Sequence, residues 1–182
     1  MDSGAGDPRA RVDGVGRGSV ARRGLVAMRN PEHILRASMT LPLPVQQVFE
    51  FFAAADNLQV ITPPELGFRI VSAGPVQIAQ GALIDYQLGL FGIPFNWQTE
   101  ITCWRPPHEF VDTQLRGPYA QWIHRHTFRP RGADTIIEDE VRYRLPVPLL
   151  GELALPLVKL QLARIFRYRQ ARIRALLLAG LA

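Results

Sequence analysis

From residue 33 the apolar positions fall into blocks, and the period of those blocks changes along the chain. HILRASMTL, residues 33–41, alternates loosely and predicts a first strand. After Pro44 the apolar residues Val45, Val48, Phe49 and Phe52 recur at i, i+3, i+4 and i+7, one stripe of an amphipathic helix that a proline can open. A short second helical turn is expected at 57–61, ending at Pro63-Pro64. From Phe68 the period returns to two. Strands are predicted over 68–72, 82–91, 94–104, 109–116, 120–129 and 135–145. Gly74-Pro75, Gly92, Pro106-Pro107, Gly117-Pro118 and Arg131-Gly132 separate them. Beyond Pro146 and Pro148 one long helix is expected over about 150–179, with Pro156 inside it.

Consecutive strands joined by short loops pair antiparallel. Helices segregated to the ends of the chain imply the α+β class. The expected architecture is a seven-stranded curved antiparallel sheet wrapped around a long C-terminal helix, with two short helices after the first strand. The space between sheet and helix is either solid core or a ligand cavity.

Alternation also assigns faces. In the last strand Glu138, Glu140, Arg142 and Arg144 share a wet face, so Ile137, Asp139, Val141, Tyr143 and Leu145 point inward. In 120–129 the inward set is Trp122, His124, His126 and Phe128. In 94–104 it is Phe95, Trp97, Thr99, Ile101 and Cys103, and in 82–91 it includes Ile84 and Tyr86. The long helix carries Leu155, Val158, Leu162, Ile165, Phe166, Ile173 and Leu176 on one stripe, and Arg169 falls inside it. An otherwise apolar interior therefore receives His124, His126, Asp139 and Arg169, with Tyr86 and Tyr143 as hydroxyl donors and Trp97 and Trp122 as wall. Buried charge demands partners. A turn centred on Arg131-Gly132 sets His124 opposite Asp139, and a shift of two in the register sum sets His126 there. Two inward histidines on one strand are more often hydrogen-bonded than metal-bound, so neither a metal nor a cofactor is expected.

Composition narrows the function classes. Of 182 residues 47% are apolar, enough for a sizeable core, and the single cysteine, Cys103, excludes an internal disulfide framework. No apolar run approaches the roughly 18 residues of a membrane span, so a cytoplasmic protein is expected. The net charge of +5 sits at the ends: residues 1–30 hold six Arg against three Asp, and 149–182 hold Lys159 and five Arg against Glu152. No nucleic-acid-binding motif accompanies that charge, so no specific nucleic-acid partner is expected. The basic C-terminal helix is a candidate for weak contact with an anionic membrane. Residues 1–30, rich in Gly, Arg and Asp and without period, read as a disordered tail, with Met28 an alternative initiator. The folded domain is expected over 31–182.

The element order and several local runs resemble one family. The runs are Asn57-Leu58 with Thr62-Pro63-Pro64 and Leu66-Gly67-Phe68; Trp97 before Ile101; and Phe110-Val111-Asp112. They continue with Gly117-Pro118-Tyr119 before Trp122, His124, His126 and Phe128; Asp139, Val141 and Tyr143 before Leu145-Pro146; and Ile165-Phe166 with Tyr168-Arg169. Over about 33–178 the chain is similar to the START/birch-pollen-allergen superfamily (SRPBCC, polyketide cyclase/dehydrase-like), in its bacterial ligand-binding branch, with the helix-grip fold. The resemblance implies a carrier or sensor binding a hydrophobic or amphipathic small molecule between sheet and helix. The alternative is a cyclase/dehydrase-type enzyme using His124 or His126 with Asp139 as an acid/base pair on a carbonyl-containing, polyketide-like substrate. An interaction module with a filled core is a third reading.

Overall fold

The computed structural model describes residues 30–74 and 76–179. The tail expected over 1–30 therefore lies, apart from Asn30, outside the described residues. Period-2 alternation builds strands β1 (His33–Leu41), β2 (Arg69–Ile70), β3 (Leu83–Leu90), β4 (Ile93–Arg105), β5 (Glu109–Arg116), β6 (Gln121–Arg131) and β7 (Asp134–Arg144). They form one antiparallel sheet in the order β1-β7-β6-β5-β4-β3-β2, so the first strand pairs with the last. Helices α1 (Val45–Ala53) and α2 (Ala55–Val60) follow β1, and a 3-10 turn at Pro64–Leu66 continues past the Pro63-Pro64 stop expected from sequence. Helix α3 (Pro148–Leu178) lies against the sheet and contains Pro156.

The outer face of the sheet is wet, as its alternating charges require. Arg36 and Arg142 reach Glu140, Arg125 reaches Glu109, and Arg129 reaches Glu138. Such exposed pairs contribute little stability. The inner face carries two buried clusters. One, at the base, joins Phe49, Phe52, Phe110, Phe128, Ile137 and Ile173. The other runs under α3 and includes Tyr86, Trp97, Trp122, Leu162 and Phe166.

Two assigned faces change. Register shifts in the β4–β5 pair between Ile101 and Cys103, where an extra residue bulges out. Beyond the bulge Trp104 opposes the buried Phe110 and packs at a tilt against Phe49, at 5.1 Å between ring centroids. Trp104 thus takes the inward place expected for Cys103. On α3 the stripe ends at Ile173: Leu176 is 39% exposed, and Leu177 and Leu178 pack on the base cluster instead. The opposite side of α3 exposes Leu150, Leu153, Leu157 and Leu160.

Helix α3 is tied to the sheet edge at two points. His33 Nε2 lies 2.9 Å from Glu152 Oε1, and Gln170 Nε2 donates to Ser38 O at 3.1 Å.

Candidate functional site

A two-residue hairpin loop fixes the centre of the site. Arg131 pairs with Asp134, leaving Gly132 and Ala133 between them, and Gly132 takes a φ of 62°, which only glycine adopts without strain. The turn is thus one residue further along than Arg131-Gly132, and His126, not His124, is the register partner of Asp139. On the other side of β6, His124 is the register partner of Asp112 on β5. The two histidines, two apart on one strand, present to the same face with ring centroids 3.8 Å apart.

Each imidazole stands between two carboxylates. Asp139 Oδ1 is 3.1 Å from His124 Nε2 and 2.7 Å from His126 Nδ1, the latter approach too oblique for a hydrogen bond. Asp112 Oδ2 is 3.2 Å from His126 Nε2 and 3.5 Å from His124 Nδ1. The stacked ring of Phe110, 4.1 Å from His126, closes the back of the pair.

Burial and neighbours set the charges. Burial opposes ionisation of Asp139, but the two histidines hold its carboxyl well below the usual carboxylate range. Asp112 is lowered too: burial works against its charge, and His124, His126 and Arg169 outweigh it. Burial pushes His124 down, helped by the neighbouring His126. Burial also acts against charge on His126, yet hydrogen bonding to Asp112 and the adjacent carboxylate of Asp139 raise it. Of the two imidazoles, His126 is the one whose charged form its surroundings favour.

Above this cluster lies a cavity of about 140 Å³ between α3 and the sheet. Its walls are mostly apolar, from Ile84, Trp97, Trp122, Leu162, Ile165 and Phe166 among others, and its polar groups include Thr99, Tyr86, Asp112, His124, His126 and Arg169. Thr99 Oγ1 accepts from Trp97 Nε1 at 3.2 Å and lies 3.4 Å from the Tyr86 hydroxyl. Burial, then the nearby Asp112, pushes the Tyr86 phenol far up, so it stays a neutral donor. Arg169 sets its guanidinium over Phe52, 5.6 Å from the ring centroid, and its buried Nε has no hydrogen-bond partner.

Residues 41–165 match the sequence profile of the family described as polyketide cyclase / dehydrase and lipid transport. The chain belongs to that family. No curated protein sequence matches it. Among solved structures, TTHA0849 from Thermus thermophilus is similar at 19% identity, with a TM-score of 0.62, over 84% of this chain and all of that one. A START superfamily protein from Mycobacterium smegmatis is similar at 12% identity and TM-score 0.60, covering 79% of this chain and 99% of that one. The Zhui aromatase/cyclase from Streptomyces is similar at 15% identity and TM-score 0.61, covering 80% of this chain and 96% of that one. At these identities the likeness is one of fold.

Within this polyketide cyclase / dehydrase fold the expected site residues separate into two groups. Tyr86, Trp97, Trp122, His124, His126 and Arg169 line the cavity. Asp139 and Tyr143 do not: Asp139 sits behind the histidines, and Tyr143 is buried among His33, Tyr119 and Trp122. Arg169, expected in the interior with Asp139 and the histidines, lines the cavity over Phe52 and makes no ion pair among the described residues. The residue that sequence reasoning missed is Asp112. Its side chain is 17% exposed against 5% for Asp139, so it is the carboxylate that faces the cavity. Donor atoms of Asp112, His124 and His126 all lie within 4.8 Å of one another.

Proposed function

We propose that this chain binds a hydrophobic or amphipathic small molecule in the cavity, as a carrier or sensor, with the ligand's polar end at Asp112, His126 and Arg169. The observation that carries the reading is the make-up of the cavity: a mostly apolar wall with a few hydroxyls, and its charged groups gathered at Asp112, the histidines and Arg169, whose Nε lacks a partner. Small-molecule sites have this make-up, mostly apolar with a few placed polar groups. The family's description as lipid transport supports the same class. A volume of about 140 Å³ takes a single ring or a short chain, comparable to an apolar cavity of about 150 Å³ that holds benzene. A longer ligand requires α3 to move outward.

Native mass spectrometry of the purified protein, followed by solvent extraction, tests this. A co-purifying apolar molecule, weakened in Arg169→Met, is the expected result. A protein that carries nothing and takes up no added fatty acid or aromatic probe overturns it. The exposed leucines of α3, with Lys159, Arg164 and Arg167 beside them, extend the proposal to weak contact with anionic vesicles.

One observation favours a second reading, a cyclase/dehydrase-type enzyme. His126 Nε2 and Asp112 Oδ2, 3.2 Å apart, both border the cavity, so a proton can pass between them and a carbonyl-bearing substrate. Turnover of a polyketide-like thioester, lost in His126→Asn, separates this reading from simple binding.

A further inference from the structure

We propose that Asp112, His124 and His126 form a binding site for a divalent first-row metal ion at the floor of the cavity, with an open coordination position facing the ligand space.

The first support is the spacing of the donors. Asp112 Oδ2 lies 3.2 Å from His126 Nε2 and 3.5 Å from His124 Nδ1. Ligand atoms held tetrahedrally at about 2.0–2.1 Å from zinc stand about 3.3–3.4 Å apart. A charge-assisted hydrogen bond between nitrogen and carboxylate runs shorter, about 2.7–2.9 Å. The observed pair brackets the ligand spacing, and the shorter of the two also lies within hydrogen-bond reach, so the same geometry serves a shared proton or a shared ion.

The second support is what lies behind the ligands. Metal-binding histidines turn their other ring nitrogen to an acceptor, most often a carboxylate. Asp139 Oδ1 is hydrogen-bonded to His124 Nε2 at 3.1 Å and stands 2.7 Å from His126 Nδ1, close but oblique. With the ring protons on that side, His124 Nδ1 and His126 Nε2 carry lone pairs toward Asp112. All four residues stand on adjacent strands whose register fixes them: Asp112 opposite His124, and His126 opposite Asp139.

The third support is the count of charges. Ligation keeps both imidazoles neutral, so two carboxylates and the Arg169 guanidinium leave one negative charge for the bound ion to meet. A divalent ion converts that deficit into a single positive charge. An anion in the open position, hydroxide or the acid head of a ligand, then closes the balance. Arg169, on the cavity wall with its Nε unpartnered, is placed to meet that anion. The metal site stands without the ligand reading above, whereas the anionic head rests on it.

The test uses the full chain, stripped with chelator and titrated with Zn²⁺ by calorimetry and with Co²⁺ by visible absorption. The expected result is one ion per chain with a Kd of about 1 μM or tighter, and a cobalt spectrum of four- or five-coordinate type. His126→Asn and Asp112→Asn should abolish the spectrum, and Asp139→Asn, which keeps every donor, should weaken binding about 10–100-fold. Should the variants fail to fold, zinc-edge absorption of the wild type reads the ligand set directly, with two imidazoles expected. Failure of the folded wild type to bind either ion overturns the site, as does binding that persists in both donor variants. Fatty-acid or aromatic-probe uptake by the chelated protein is measured alongside. Uptake without metal binding removes this proposal alone, and metal binding without uptake removes only the ligand reading.

Discussion

Asp139 and His126 face each other across the β6–β7 pair, and one carboxylate oxygen of Asp139 lies 2.7 Å from Nδ1 of His126. The same oxygen serves His124 at 3.1 Å. Asp139 is thereby the rear support of both imidazoles, while Asp112 meets them from the cavity side.

Asp139→Asn preserves shape and removes the charge on which both imidazoles depend. Urea denaturation should show a loss of about 3–5 kcal/mol, the usual result of breaking a buried pair. Combined with His126→Asn, the loss should fall short of the sum by about 1 kcal/mol or more. Combined with Arg169→Met it should add to within about 0.5 kcal/mol, because the guanidinium lies over Phe52 and not on Asp139. Equal coupling to Arg169 and His126 would show that the arginine reaches Asp139 in solution.

The cluster also makes stability depend on pH with a maximum, measured in chelated protein. Asp112 and Asp139 are lowered from 3.8, so their contribution is full above that value and is lost as pH falls through their folded values. His124 is lowered from 6.5, so it too adds stability above 6.5 and loses it toward acid. His126 is raised from 6.5, and its contribution is complete below 6.5 and fades as pH rises through its folded value. Melting temperature should therefore climb from acid to about pH 6.5 and decline above it. The decline should vanish in His126→Asn. A flat profile from neutral to alkaline pH in the wild type would mean that His126 is not raised by its carboxylate neighbours.

Phe166, buried on α3 and 5.5 Å from the His124 ring, lines the cavity. Phe166→Ala should cost about 3–5 kcal/mol. It should also enlarge an apolar space, so that benzene or indole raises the melting temperature of the variant more than that of the wild type. Identical shifts would show that the helix collapses into the gap.

Gly151 lies in the first turns of α3, where alanine would ordinarily favour a helix by about 1 kcal/mol. Here an added Cβ would stand 2.8 Å from Leu145 Cβ, so Gly151→Ala should instead destabilise by about 1–2 kcal/mol in thermal melts. A stabilised variant would mean that the start of α3 moves freely away from the sheet.

The fold was legible because period 2 and period 3.6 are local signals, and glycine and proline mark where they change. The inward places of His124, His126 and Asp139 followed from alternation alone. Asp112 did not, for two physical reasons. Strand β5 reads Glu-Phe-Val-Asp-Thr-Gln-Leu-Arg, with polar residues on both faces, and the bulge after Ile101 breaks the phase of the neighbour that would have assigned it. Arg169 was placed on the right stripe, but a stripe gives an angle around the helix and not a height along the sheet. That height, set by packing on Phe52, decides which carboxylate it faces. The end of the stripe was misjudged for the same kind of reason, since Leu177 and Leu178 reach the base cluster and Leu176 does not.

The pairing of the first strand with the last has a consequence for synthesis. Arg36 on β1 meets Glu140 on β7, 104 residues later in the chain. While β1 to β6 are emerging from the ribosome, β1 has no neighbour to pair with, and His124 and His126 have no Asp139 behind them. Closing so long a loop precedes any contact that rewards it, which makes this topology slow to fold. The exposed edge of β1 must therefore be shielded in the growing chain. Asp139 reaches the two histidines only when β7 arrives, and α3 covers the cavity later still, so a nascent chain stopped before Asp134 should remain open to protease and unable to hold a ligand.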